Sequence, residues 1–167
     1  GRKADSDKMT AAFRNPGGVA IGQLADQAQL ARCVIVYFRK WCDGPEGQAA
    51  VWNDLAAGLG AAQGRATLEI LESLFDLCAR HRRRPLMRHA VNCQCVGADE
   101  ACFAHFVTTA AEGDREDAML IATLLVRTDM APIVAPLAAD LGRALKRMCV
   151  YQQPRRRRLQ PMPPTIH

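Results

Sequence analysis

Aromatic residues are scarce: five Phe, two Trp and two Tyr in 167 residues. None is interleaved with the arginine runs, which argues against base stacking on an aromatic platform. Long apolar runs are missing as well. The densest, Met119 to Val126, already contains Thr123 and falls far short of the roughly 18 to 20 residues a membrane-crossing helix needs, so no span is expected. The first residues, Gly-Arg-Lys-Ala-Asp-Ser-Asp-Lys, lack the apolar core of a secretory signal. Alternation of apolar and polar residues nowhere persists long enough to predict a sheet. There is no H-E-x-x-H, no H-x-E with P-C-x-x-C and no C-x2-C, which removes the familiar zinc hydrolase, zinc deaminase and thioredoxin-like readings. The seven cysteines are odd in number and unevenly spread on a chain long enough to fold without them, so no disulfide framework is expected. A reducing, cytoplasmic location follows from that reading.

What is there describes one globular domain. With 167 residues, 49% of them hydrophobic, the chain can bury a core of its own. The net charge of +5 is concentrated at the ends. Residues 1–18 hold four basic and two acidic groups, and the stretch from Gln152 holds Arg155, Arg156, Arg157 and Arg158 with no acid, leaving a nearly neutral body. The expected organisation is a flexible segment over 1–18, a single α-helical domain over 19–151 and a flexible Arg/Pro-rich tail over 152–167.

Gly and Pro divide the body into about six helices in a compact all-α bundle. The first is predicted from about Ile21 to Trp41, with Leu24, Ala28, Ala31, Ile35, Phe38 and Cys42 along one face. The second starts at Asp43-Gly44-Pro45, with Asp43 as cap, and runs to Leu59. Gly60 and Gly64 then mark either a bend or a break. The third, from about Arg65, presents Leu68, Leu71, Leu74, Phe75 and Cys78, and Arg80 to Pro85 ends it. Asp99 and Glu100 start the fourth, with Asp99 as cap and Glu100 favouring the helix dipole. Asp114 starts the fifth. The last begins near Asp129, with Ile133, Leu137, Leu141, Leu145 and Met148 as its seam and Pro136 as a kink. Gly58-Leu59-Gly60-Ala61-Ala62-Gln63-Gly64 follows helical residues rather than a strand, so it is read as a helix break and not as a phosphate loop.

Between the third and fourth helices lies an irregular Cys/His-rich loop, from Pro85 to Ala98, and such loops inside compact domains are usually functional or ligand-organised. Cys78, His81, His89, Cys93, Cys95, Cys102 and His105 fall within and beside it. The reading is one structural Zn ion held by His89, Cys93, Cys95 and Cys102, with Cys78, His81 and His105 as other candidates for the fourth position. The protein would then serve regulation or macromolecular interaction rather than catalysis. Two alternatives stay open. Arg80 to Arg88 precede Cys93 and Cys95, and a positive field favours thiolate chemistry, so those cysteines could form a redox-sensor pair. Arg82, Arg83, Arg84 and Arg88, with Arg155, Arg156, Arg157 and Arg158, could instead contact an acidic protein or nucleic acid. Apolar helix faces also leave a homodimer open.

Overall fold

The computed structural model describes residues 16–159, from Val150 onward as backbone only. Six α-helices form the bundle: α1 (Gln29–Cys42), α2 (Pro45–Leu59), α3 (Ala61–His81), α4 (Ala98–Ala111), α5 (Arg115–Leu125) and α6 (Ala131–Leu159). Helix α6 packs against all five others along a seam of Val134, Ala138, Leu141, Leu145 and Met148. The expected seam is therefore rotated at its start: Ile133 is half exposed and Val134 takes its place. Helix α6 runs through Pro136, on its exposed side, and on to Leu159, so the segment expected as a tail begins as helix. The remainder of that tail, and residues 1–15 of the expected N-terminal segment, lie outside the described residues.

The second and third helices are separate. Gly60, at φ +83°, reverses the chain between α2 and α3 in a conformation side chains disfavour. A Cβ on Gly64 would sit 3.0 Å from the Ala56 backbone, so the hydrogen side chain sets the approach of the two helices. The turn before α2 uses Gly44, at φ +94°, as the residue flanking Pro45, and Asp43 makes no side-chain cap. Asp114 does cap α5, its carboxylate accepting from the Asp117 N–H at 3.4 Å.

The largest departure from the sequence reading is at the start of the body. Residues 20–23 are not helix but a strand, β1 (Ala20–Gln23), paired antiparallel with β2 (Cys95–Gly97) inside the Cys/His-rich loop. The pairs are Ala20 with Gly97, Gly22 with Val96 and Gln23 with Cys95, with one extra residue, Ile21, bulged out. Ile21 is 60% exposed, so it could not have anchored a buried helical face. The N–H of Leu24 continues the ladder to the Gln94 carbonyl at 2.6 Å, and Ala98 closes it on the Val19 carbonyl at 3.0 Å. The chain needed a partner 72 to 77 residues away to make this strand, which no local pattern reveals.

The aromatic part of the core lies between the helices. Phe103 stacks on both Phe38 and Phe75, Phe38 and Phe75 meet at a tilt of 37°, all with ring centroids 5.2 to 5.6 Å apart, and Trp41 lies on Phe75 at 6.2 Å with planes only 13° apart. Four of the nine aromatic residues are gathered at this one junction of α1, α3 and α4.

Candidate functional site

The loop that the sequence assigns to zinc is organised by ion pairs. Arg39 sits on the buried face of α1, one position after Phe38, and Glu100 sits in the first turn of α4; both side chains are fully buried. The Arg39 guanidinium donates to Glu100 from Nε at 2.5 Å and from Nη2 at 3.3 Å. Its remaining donors reach into the loop, Nη1 to the Cys93 carbonyl at 2.7 Å and Nη2 to the Cys95 carbonyl at 2.6 Å. Glu100 Oε1 accepts in turn from the backbone N–H groups of His89, at 2.9 Å, and Gly97, at 3.3 Å. A planar guanidinium suits this task because its fork of donors can hold a carboxylate and two carbonyls at once.

A second pair repeats the device at the edge. Arg84 binds Asp99 with both terminal nitrogens, at 2.9 and 2.5 Å, and Asp99 Oδ2 also accepts from the Met87 N–H at 2.7 Å. Asp99, expected as a cap, thus spends its carboxylate on the loop, and Gly97 is the residue flanking α4. Arg83 donates to the Thr123 carbonyl at 2.5 Å and to Thr128 Oγ1 at 3.0 Å, while Arg88 donates to the Cys42 carbonyl at 3.0 Å. Three of the four loop arginines assigned to an acidic partner are therefore fastened to this protein's own body. Arg82 projects into solvent, and the side chains of Arg155, Arg156, Arg157 and Arg158 lie outside the described residues.

The four expected zinc ligands do not meet. His89 and Cys93 adjoin, with Nδ1 and Sγ 3.7 Å apart. The Cys95 thiol instead faces the Gln23 amide at 4.0 Å across the sheet. Cys102, on α4, stands beside Asp99 and Arg84; burial raises its thiol pKa, with Asp99 adding to the rise and Arg84 opposing it. Among the other candidates, Cys78 is buried in the core, His81 contacts Arg127 at 3.1 Å and His105 is exposed beside Thr109. Among the described residues no three His, Cys, Asp or Glu side chains converge on a point that could hold an ion. The spacing put these residues on one loop, but Cys95 belongs to β2 and faces Gln23 across the sheet, whereas Cys93 lies before the strand and turns to His89.

His89 and Cys93 form the arrangement with chemical potential. The second ring nitrogen of His89, Nε2, lies 3.0 Å from the Gly18 carbonyl oxygen. A carbonyl only accepts, so in neutral imidazole the proton resides on Nε2 and the lone pair of Nδ1 faces the Cys93 thiol. Both residues are clamped through their backbones by the buried pair, His89 by Glu100 and Cys93 by Arg39. Both side chains remain partly accessible.

A further thiol contact escaped the sequence reading altogether. Cys33 on α1 and Cys149 on α6 interact through their side chains, beside Tyr37, Asp54 and Arg32. The interaction holds the proton on Cys33, whose pKa rises through that hydrogen bond and burial, and lowers that of Cys149 to about 7, with Arg32 helping. All seven cysteines are free thiols.

Nor did the sequence reveal a cleft of about 430 Å³ between α1 and α3, walled by Phe38, Trp41, Phe75, Cys78 and, from the loop, Leu86. Glu72, Asp76 and Arg82 stand at its mouth. No helix among the described residues is long and apolar enough to cross a membrane. Protein-family models give no match to this chain, and neither curated proteins nor solved structures show a significant similarity to it.

Proposed function

We propose that the protein is a small cytoplasmic regulatory module that responds to low-molecular-weight disulfides through Cys93, with His89 as the base that takes up its proton. The observation that carries the reading is the 3.7 Å contact of Cys93 Sγ with His89 Nδ1, in an imidazole whose other nitrogen is committed to the Gly18 carbonyl. A nucleophile beside a base that a third group orients is the usual arrangement for activating a thiol. The reaction is an exchange. The thiol proton passes to Nδ1 as the sulfur attacks one sulfur of the small disulfide; the S–S bond breaks, and the leaving thiolate takes the electron pair and then a proton. Cys93 ends as a mixed disulfide and one small thiol is released.

This differs from a Cys93–Cys95 sensor pair, because Cys95 faces Gln23 rather than Cys93. A zinc role is not carried into the reading, since two of its four residues have other partners and the loop it was to organise is held by Arg39, Glu100, Arg84 and Asp99. The test is oxidised glutathione at less than one equivalent, followed by peptide mass mapping, in a Cys33→Ser/Cys149→Ser background that removes the other interacting thiols. Cys93 should acquire the glutathione ahead of Cys42, the most exposed cysteine. His89→Gln should slow Cys93 about tenfold, below the usual range for a general base because a thiol is already partly ionised near neutrality. A substitution that merely loosened the loop would speed Cys93 instead. Preferential labelling of Cys42, or an unchanged Cys93 rate in His89→Gln, overturns the proposal.

A further inference from the structure

The cleft between α1 and α3 stands apart from the thiol site and offers a different chemistry. Its deep wall is the rigid end of the aromatic stack, where Trp41 and Phe75 lie almost parallel. Phe75 packs against Phe38, which also lines the cleft, and against Phe103, at 5.6 and 5.3 Å, so this wall is propped by neighbouring rings. Two thiols also line the cleft, the buried Cys78 and the exposed Cys42, and both stay protonated at neutral pH: burial raises the pKa of Cys78 to about 12 and that of Cys42 as well. No charge therefore faces the interior. At the mouth the charges are mixed, Glu72 and Asp76 against Arg82, and Asp76 is paired with Arg80 on its own helix, so no net field selects an ion. A volume of about 430 Å³ matches the usual range for small-molecule sites, which are apolar concavities of this size with few polar groups.

We infer that this cleft is a binding site for a small, uncharged, planar ring compound, one or two fused rings in size, that stacks on Trp41 and Phe75. Flat walls favour a flat ligand because an offset stack places every ring atom in contact, where a branched aliphatic body would leave gaps. The mouth is formed in part by Arg82 and Leu86, and the Arg88 guanidinium fastens the adjoining chain to the Cys42 carbonyl at the end of α1. An occupant would consequently touch both the bundle and the loop.

The probe is 7-dimethylamino-4-methylcoumarin, neutral, planar and of two fused rings, titrated into the full chain carrying Trp52→Phe so that Trp41 is the only tryptophan. Saturable binding of one probe per chain with energy transfer from Trp41 is expected. Ala79→Phe places a ring in the cleft from an exposed position of α3 and should weaken binding about tenfold, a change of about 1.4 kcal/mol. If that variant misfolds by circular dichroism, Leu86→Ser serves the same purpose from the loop side. The exposed apolar pair Leu120 and Leu124 on α5 supplies the control, and Leu120→Ser/Leu124→Ser should leave binding unchanged. Non-saturable binding, indifference to both cleft variants, or loss of binding in the α5 control overturns the inference.

Discussion

Removing Arg39 and Glu100 singly and together tests whether this buried pair is what orders the loop. Arg39→Met leaves a buried carboxylate without its cation and strips the donors from the Cys93 and Cys95 carbonyls; Glu100→Leu leaves a buried guanidinium and strips the acceptor from the His89 and Gly97 N–H groups. Breaking one side of a buried pair costs about 3 to 5 kcal/mol, and that is expected for each single variant. The double variant is the informative one. Where a buried pair serves only itself, apolar replacement of both partners is often neutral or stabilising by about 1 to 4 kcal/mol. Here the pair also satisfies backbone groups at His89, Cys93, Cys95 and Gly97, and each orphaned buried group costs about 1 to 3 kcal/mol. Arg39→Met/Glu100→Leu should therefore remain less stable than the parent, by about 3 kcal/mol once partial rehydration of the part-buried groups is allowed for. Urea unfolding followed by circular dichroism gives the free energies, and amide exchange at His89 and Gly97 shows whether those two groups lose protection first. A double variant as stable as the parent, with both amides still protected, would refute the argument.

Three other outcomes follow from the same contacts. Because Cys33 and Arg32 lower the Cys149 pKa to about 7 from an ordinary 9.0, its alkylation by iodoacetamide should reach half its plateau rate near pH 7 and level off above it. Cys78, held at about 12 by burial, should stay unlabelled across the same range, and peptide mass mapping reads both. Gly47→Ala would drive a Cβ into the Lys40 carbonyl where α1 meets α2, so unfolding should show a loss of about 1 to 3 kcal/mol, the usual cost of overpacking. If Arg83, Arg84 and Arg88 are spent on the protein itself, replacing Arg84 with Gln should lower stability and leave any affinity for single-stranded or duplex DNA unchanged, which filter binding at low salt would check.

The helices were legible because their information is local. Spacing of Leu71, Leu74, Phe75 and Cys78, and the glycines that separate elements, are carried within a few turns of chain, and the structure follows them closely. The Cys/His-rich loop was legible as a place that needed an organiser, and its position between the third and fourth helices is as expected. The organiser itself was not. Arg39 lies beside Phe38 on a helix face read as apolar, and its only signal is being a cation in the wrong company. Asp99 and Glu100 stood where a helix start already explains them, so their reach back to residues 84–97 was masked by an adequate local reason. The strand at Ala20–Gln23 failed for the same cause, since its evidence is entirely in its partner. Cys33 and Cys149 sit at opposite ends of the bundle sequence, and only the packing of α1 against α6 brings them together.

The distances in sequence that hide the site also set when it can exist. Arg39 and Glu100 are 61 residues apart, and His89 is 71 residues from the Gly18 carbonyl that fixes its proton. At about 5 to 20 residues per second of synthesis, Arg39 is made some 3 to 12 s before its carboxylate. During that interval the α2–α3 hairpin, whose contacts are local, can close, while the strand at residues 20–23 and the arginine wait in solvent. The bundle is thus a timing device as well as a support: helices commit first, and the imidazole gains its orientation only once both ends of the loop have been synthesised and drawn onto residues made long before.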